Sequence, residues 1–150
     1  AKEAGASQAV IDEAFTAALL HDVGVLVLAA NKPDDYARVL ELMRVGPMPD
    51  WAAERDIFGA DHAHVGAYLL GIWGLGDGIV EAVAFHQHPG DYKASGFQAV
   101  TAVHVANALA EAQASTHAGT SEVLSVDHNY LTRENLLASI PHWRELCAAA

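Results

Sequence analysis

Apolar residues recur every three to four positions along most of this chain, the spacing of helices that bury one face. The first such segment is apolar on nearly every face, as in a buried helix, and Ser7 is its predicted N-cap. Turns that contain Gly, Pro or Asn separate the predicted helices. These helices cover about residues 7–30, 33–46, 50–58, 61–73, 78–87, 97–112 and, in one or two pieces interrupted at Pro141, 132–147.

Strand-like alternation is confined to residues 123–126, and residues 113–121 have the composition of a polar loop. The chain shows no internal repeat. The pattern therefore predicts an all-α fold, a bundle of about six to eight helices that forms a single domain over residues 1–150.

The composition restricts the classes of partner. The chain is 52% hydrophobic and 18% charged, too apolar for a disordered segment. Its net charge of −11 repels phosphate backbones and its eight basic residues are scattered, so we expect no nucleic-acid binding. Cys147 is a single cysteine and allows no internal disulfide. The apolar run near the start is broken by His21 and Asp22, so we expect no membrane span and a cytoplasmic location.

Helical spacing places polar groups on the apolar stripes of four predicted helices. His62 shares a stripe with Val65, Leu69 and Trp73, which we expect to be buried, while His64 lies on the opposite, solvent face. Buried polar groups need partners, so the polar members of the four stripes are expected to meet in one pocket. They are His21 with its neighbour Asp22, His62, His86 and Asn107.

Two interpretations of this pocket remain open. A single inward histidine is usually a hydrogen-bonded core residue, but several on converging stripes are typical of a present or former metal site in a helical bundle. His104 lies beside an apolar stripe and is expected in the core. The other histidines are expected at the surface: His64, His88, His117, His128 and His142.

Two stretches carry a family resemblance. AFTAALLHDVGVLVL resembles the HD motif of metal-dependent phosphohydrolases, and AERDIFGADHAHVGAYLLGIWGLGDGIVEAVAFHQHP is similar to HDOD domains, the regulatory relatives of HD and HD-GYP proteins. The resemblance covers about residues 10–112 and corresponds to the C-terminal, HD-like half of an HDOD domain. It implies an HD-domain-like helical bundle that is part of a longer protein. It also implies that His21, Asp22, His62 and His86 match metal-ligand positions, and that Asn107 falls where the last aspartate ligand lies.

Departures from the hydrolase pattern decide the predicted function. Gln87 stands in the second position of a His-His pair, Asn107 replaces a carboxylate, and GDYK follows FHQHP where HD-GYP proteins carry their GYP signature. We therefore expect a degenerate site without catalytic residues. In it His21, Asp22, His62 and His86 form a vestigial or weak metal site, Gln87 and Asn107 are degenerate positions, and Asn107 is free to hydrogen-bond Asp22.

The leading hypothesis is a pseudoenzyme, a non-catalytic regulatory module of bacterial signal transduction. Such a module acts by binding a protein or an adjacent signalling domain, with no cofactor beyond a weakly bound divalent metal. The alternative is a metal-dependent phosphohydrolase or phosphodiesterase of the HD superfamily with a residual metal site. A third hypothesis is a purely structural helical bundle. The sequence does not specify the oligomeric state.

Overall fold

The computed structural model describes residues 1–46, 48–117 and 125–148. Regular structure in these residues is entirely helical, which confirms the predicted all-α bundle. The α-helices are α1 Gln8–Leu20, α2 Val23–Asn31, α3 Pro33–Val45, α4 Asp50–Phe58, α5 His62–Ile72, α6 Asp77–Phe85, α7 Ala99–His117, α8 His128–Arg133 and α9 Ile140–Ala148. Short 3-10 turns lie at Lys2–Ala4, Pro89–Asp91 and Leu137–Ser139.

The first predicted helix is divided into two. Ser7 caps α1 as expected, with its hydroxyl accepting a hydrogen bond from the N–H of Val10. The chain then turns at His21 and Asp22 before α2 begins, so the prediction of one continuous helix over residues 7–30 is wrong. As a result of this turn, the two helices have different packing partners: α1 packs on α6 and α7, whereas α2 packs on α5.

Small residues dominate the main core, in which α6 lies against α1, α5 and α7. Its buried members are Ala14, Ala17, Ala67, Leu70, Ala82, Val83, Ala99, Val100 and Val103. A second cluster joins α7 to the C-terminal helices around the fully buried Tyr130 and Leu131. Small side chains allow helix backbones to approach closely, and the residues at the helix ends near α6 are thereby brought together.

Helix ends account for several further outcomes. Asp61 caps α5 as predicted, accepting a hydrogen bond from the N–H of His64 at 3.0 Å. Helix α5 ends at Ile72, so Trp73 lies beyond its last turn and is 62% exposed, contrary to the expected burial. Helix α7 continues to His117, so the loop predicted from residue 113 is wrong as far as 117. Residues 118–121 of that loop, and 123–124 of the strand-like segment, lie outside the described ranges, and Val126 is in irregular chain.

The outer faces of α1 and α2 are unusually apolar. By length and composition the span Gln8–Asn31 could cross a membrane, with a hydropathy of 1.6, although the sequence led us to expect no such span. In the fold this span is divided between two helices, whose inner faces bury Ala14, Ala17 and Leu28. Their outer faces expose Phe15, Leu19 and Leu26, each more than 65% accessible.

Candidate functional site

Five of the six predicted site residues lie together, and three of them surround the carboxylate of Asp22. His21 and Asp22 occupy the turn between α1 and α2, His62 is the first residue of α5, and His86 follows the last residue of α6. The Nε2 atoms of His21, His62 and His86 lie 3.3, 3.6 and 3.9 Å from carboxylate oxygens of Asp22. His62 and His86 are fully buried, while the Asp22 side chain is 58% exposed. The cluster therefore opens to solvent at its single aspartate.

Each of the three imidazoles has its other ring nitrogen held by an oxygen acceptor. His21 Nδ1 lies 2.8 Å from the carbonyl oxygen of Ala18, and His86 Nδ1 lies 2.8 Å from that of Val83. His62 Nδ1 lies 2.7 Å from Oε2 of Glu54. A carbonyl or carboxylate oxygen only accepts, so in each ring Nδ1 carries the proton. Each ring therefore directs its Nε2 atom toward Asp22.

Glu54 is a functional residue that the sequence analysis missed. Its side chain is fully buried in α4, and its carboxylate accepts hydrogen bonds from the backbone N–H and Nδ1 of His62, both at 2.7 Å, and from the Tyr36 hydroxyl at 3.3 Å. Glu54 shares a helical face with Trp51 and Phe58, three residues before it and four after it. The same criterion that singled out the histidines, a polar residue on an apolar stripe, would have found it.

Burial and charge act differently on the two buried histidines. Burial is the main cause that lowers the pKa of His86 to about 4, and the neighbouring imidazoles of His62 and His21 add to this effect. Burial also works to lower the pKa of His62, but the hydrogen bond and charge of Glu54 outweigh it, so this pKa is raised. His86 is therefore neutral, and its buried Nε2 atom has no hydrogen-bond partner among the residues that the structure describes.

The donor set fits one divalent cation. Imidazole nitrogens and a carboxylate suit zinc-like ions, and four ligands about 2.0–2.1 Å from a metal lie roughly 3.3–3.4 Å apart in a tetrahedron. The three Nε2–Asp22 separations are 3.3 to 3.9 Å, and ligand atoms of His21, Asp22 and His86 all lie within 4.8 Å of one another. His62 adjoins this group through its 3.6 Å separation from Asp22. Where a second histidine would stand, the amide nitrogen of Gln87 lies 3.5 Å from His62 Nε2. An amide is a weaker metal ligand than an imidazole, and Asp22 is the one carboxylate that faces all three rings, so this cluster does not suit a bridged pair of metals.

Asn107 does not make the predicted hydrogen bond to Asp22. Its amide nitrogen donates to Glu111 at 2.8 Å, one turn farther along α7, and Glu111 also accepts from Ser125. An i, i+4 pair on the same helix satisfies this amide without the cluster. Helix α7 instead contacts the site through His104, which is buried as predicted: its Nδ1 lies 2.7 Å from the carbonyl oxygen of His86.

Some of the remaining histidines lie exposed at the surface, and others contact buried or half-buried side chains. His128 and His142 are exposed as predicted, and nothing is described of the His117 side chain. His64 is also exposed, but its Nδ1 lies 2.6 Å from a carboxylate oxygen of the fully buried Asp61. His88 is half-buried instead of exposed, because its ring packs edge-on against Trp51 with centroids 4.5 Å apart.

A helical bundle that gathers a His-Asp pair and two further histidines at its helix ends belongs to the HD class of architectures. The family profile described as "HDOD domain" matches residues 1–89, so the chain belongs to the HDOD domain family. It is also 25% identical over 95 residues to an uncharacterized protein of Treponema pallidum (strain Nichols). That alignment covers 61% of this chain and 18% of the relative, so the chain spans under a fifth of that protein. No solved structure matches the chain.

Proposed function

We propose that this domain is a non-catalytic regulatory module of bacterial signal transduction, located in the cytoplasm. The observation that carries the proposal is the composition of the cluster: Asp22 is the one carboxylate that all three imidazoles face, and Gln87 occupies the adjoining position. Membership of the HDOD family, whose HD relatives include signalling proteins, supports the same assignment. The domain acts by binding a protein or an adjacent signalling domain.

Charge argues against hydrolysis at this site. Two-metal hydrolases neutralise bridging and leaving oxygens with two cations, which need several anionic ligands. Asp22 supplies one negative charge, and the charge of Glu54 is directed to His62 and Tyr36. One divalent cation at the Nε2 atoms of His21, His62 and His86 is the most that these ligands support. Its contribution would be to hold the helix ends together and to carry positive charge there.

Exposed apolar side chains supply a surface for a protein partner. Phe15 and Leu19 lie one turn apart on α1, and Tyr68 and Ile72 lie one turn apart on α5, with exposures from 65% to 75%. Apolar residues at this spacing, on a chain with net charge −11, favour a protein partner over a nucleic acid.

Quantitative capture with the full-length protein tests this proposal. Leu19→Glu places a charge on the exposed apolar face of α1, and Ala9→Glu places the same charge on an exposed position of the same helix. We expect a stoichiometric partner that Leu19→Glu loses and that Ala9→Glu and Asp22→Ala retain. A partner lost only with Asp22→Ala, or none with any of these proteins, would overturn the proposal.

The alternative function is a metal-dependent phosphohydrolase or phosphodiesterase. The convergence of three Nε2 atoms on a solvent-exposed Asp22 favours it, because such a site binds a cation within reach of substrate. Elemental analysis of purified protein separates the two functions. The regulatory proposal expects one divalent ion or fewer per chain, without stoichiometric iron or manganese, whereas about two per chain would favour the hydrolase.

A further inference from the structure

We propose that Glu54 is a positioning residue: it fixes the ring of His62 so that Nε2 faces Asp22, and it thereby prepares the cluster for one divalent cation. This inference rests on the site described above, and it is independent of whether that site hydrolyses anything. Glu54 lies on α4, eight residues before His62.

Two contacts to one residue fix the His62 ring. A single oxygen, Oε2 of Glu54, accepts from both the backbone N–H and Nδ1 of His62, each at 2.7 Å. Because one contact holds the main chain and the other holds the side chain, the ring orientation is defined relative to its own backbone. The other oxygen accepts from Tyr36, whose pKa is raised to about 12 by burial and by Glu54, so the hydroxyl remains a donor.

The helix ends explain why His62 alone needs a carboxylate. His21 and His86 follow the last turns of α1 and α6, where backbone carbonyls lack helical partners, and each ring contacts the carbonyl three residues earlier. His62 is instead the first residue of α5, where the free backbone groups are N–H donors. No carbonyl of its own helix precedes it. The acceptor for Nδ1 of His62 comes instead from another element, Glu54 of α4.

The same carboxylate also suits the beginning of a helix. Negative charge near the first turn interacts favourably with the helix dipole and with free N–H groups. Glu54 therefore stabilises the start of α5 and sets the His62 tautomer with one set of contacts. Without an acceptor at Nδ1, the proton can move to Nε2, which would then present an N–H to the cation position in place of a lone pair.

The test combines NMR with cation binding. In metal-free protein labelled with 15N-histidine, at a pH where His62 is neutral, we expect long-range correlations to show the proton on Nδ1. In Co²⁺ titrations followed by visible absorption, Glu54→Leu, which has no acceptor oxygen, should bind about 10- to 100-fold more weakly than wild type, the usual effect of losing an outer-sphere partner. Asp56→Asn, an exposed position on the same helix, should bind like wild type.

Each outcome supports or overturns the inference. A His62 proton on Nε2 in the wild type, wild-type protein that binds no Co²⁺, or equal affinity in Glu54→Leu and wild type would overturn it. Thermal melts establish that each variant is folded, and if Glu54→Leu does not fold, the wild-type NMR result decides. Phosphodiesterase turnover enters neither readout, so failure here is distinguishable from failure of the regulatory proposal.

Discussion

A side-chain carbon on Gly24 would lie 2.0 Å from the carbonyl oxygen of His62, because the backbones of α2 and α5 touch at this point. Gly66 lies one turn after His62 and faces the backbone of Gly24. A side-chain carbon on Gly66 would lie 3.2 Å from the Gly24 nitrogen. Gly24 follows Asp22 by two residues. Because Gly24 and Gly66 have no side chains, α2 and α5 come close enough for the Asp22 carboxylate to lie beside the His62 ring.

Gly24→Ala should separate these two helices. A methyl group meets backbone atoms that cannot rotate away, so we expect a loss of about 1–3 kcal/mol or more in the free energy of unfolding. Gly71→Ala is the matched control: no atom lies within 4 Å of its added carbon, and alanine gains up to about 0.5–1 kcal/mol in an exposed helix. Denaturant melts measure both, and equal changes in the two variants would refute the close contact.

His62→Ala should cost much more stability than His64→Ala. Removing His62 leaves the buried Glu54 carboxylate without its imidazole, and breaking a buried pair in this way costs about 3–5 kcal/mol. His64 is exposed, which suggests a negligible effect, but it contacts the buried Asp61, so we expect about 0.5–1.5 kcal/mol. Asp61 keeps Arg55 as a partner in that variant. Urea melts at neutral pH that gave equal losses would contradict the burial assignments.

Glu134→Gln should remove part of the acid sensitivity of the fold. The hydrogen bond from Arg133, opposed by burial and aided by the N–H of Gly96, lowers the pKa of the Glu134 carboxyl from its ordinary value of 4.5. A lowered pKa in the folded state means that this stabilisation is fully present above about pH 4.5 and is lost as the pH falls through the lower value. We expect the variant to lose about 1 kcal/mol at pH 7 and to show a shallower stability decline below pH 4.5. Parallel stability–pH curves for the two proteins would contradict this prediction.

Gln87→His should strengthen cation binding, whereas Asn107→Asp should not. The Gln87 amide already lies 3.5 Å from His62 Nε2, so an imidazole there adds a ligand beside the cluster, and we expect roughly tenfold tighter Co²⁺ binding, about 1.4 kcal/mol. Asn107 is directed to Glu111, and an aspartate would face that carboxylate instead of the cation. Tighter binding by Asn107→Asp alone would show that Asn107 belongs to the site.

The sequence predicts much of this fold because helical periodicity and caps are local signals. Ser7, Asp61 and Pro33 begin their helices as expected. The break at His21 was missed because its cause is non-local: the turn directs α2 onto α5, and although Gly24 permits that close contact, its partner lies outside residues 7–30. Asn107 was expected in the pocket because it shares a helical stripe with Val100 and Val103 and falls at a ligand position of the family pattern, but neither signal shows which partner an amide selects, and its amide donates to Glu111.

The same difference between local signals and non-local contacts applies to the site. The histidines were found because an inward polar residue on an apolar stripe is visible in the sequence, and Glu54 would have met the same criterion. Its role was not visible, because the pairing with His62 joins two helices across a turn of positive-φ glycine, Gly59, whose geometry only the structure gives.

Turnover by purified protein tests the central claim most directly. The full-length protein would be loaded separately with Mn²⁺, Fe²⁺ and Zn²⁺ and assayed on bis-p-nitrophenyl phosphate and on a cyclic dinucleotide, beside Asp22→Ala prepared identically. A regulatory module with one carboxylate in its cluster predicts equal, background rates for both proteins with every metal. Hydrolysis above background that Asp22→Ala abolishes would contradict this account and establish the domain as an enzyme.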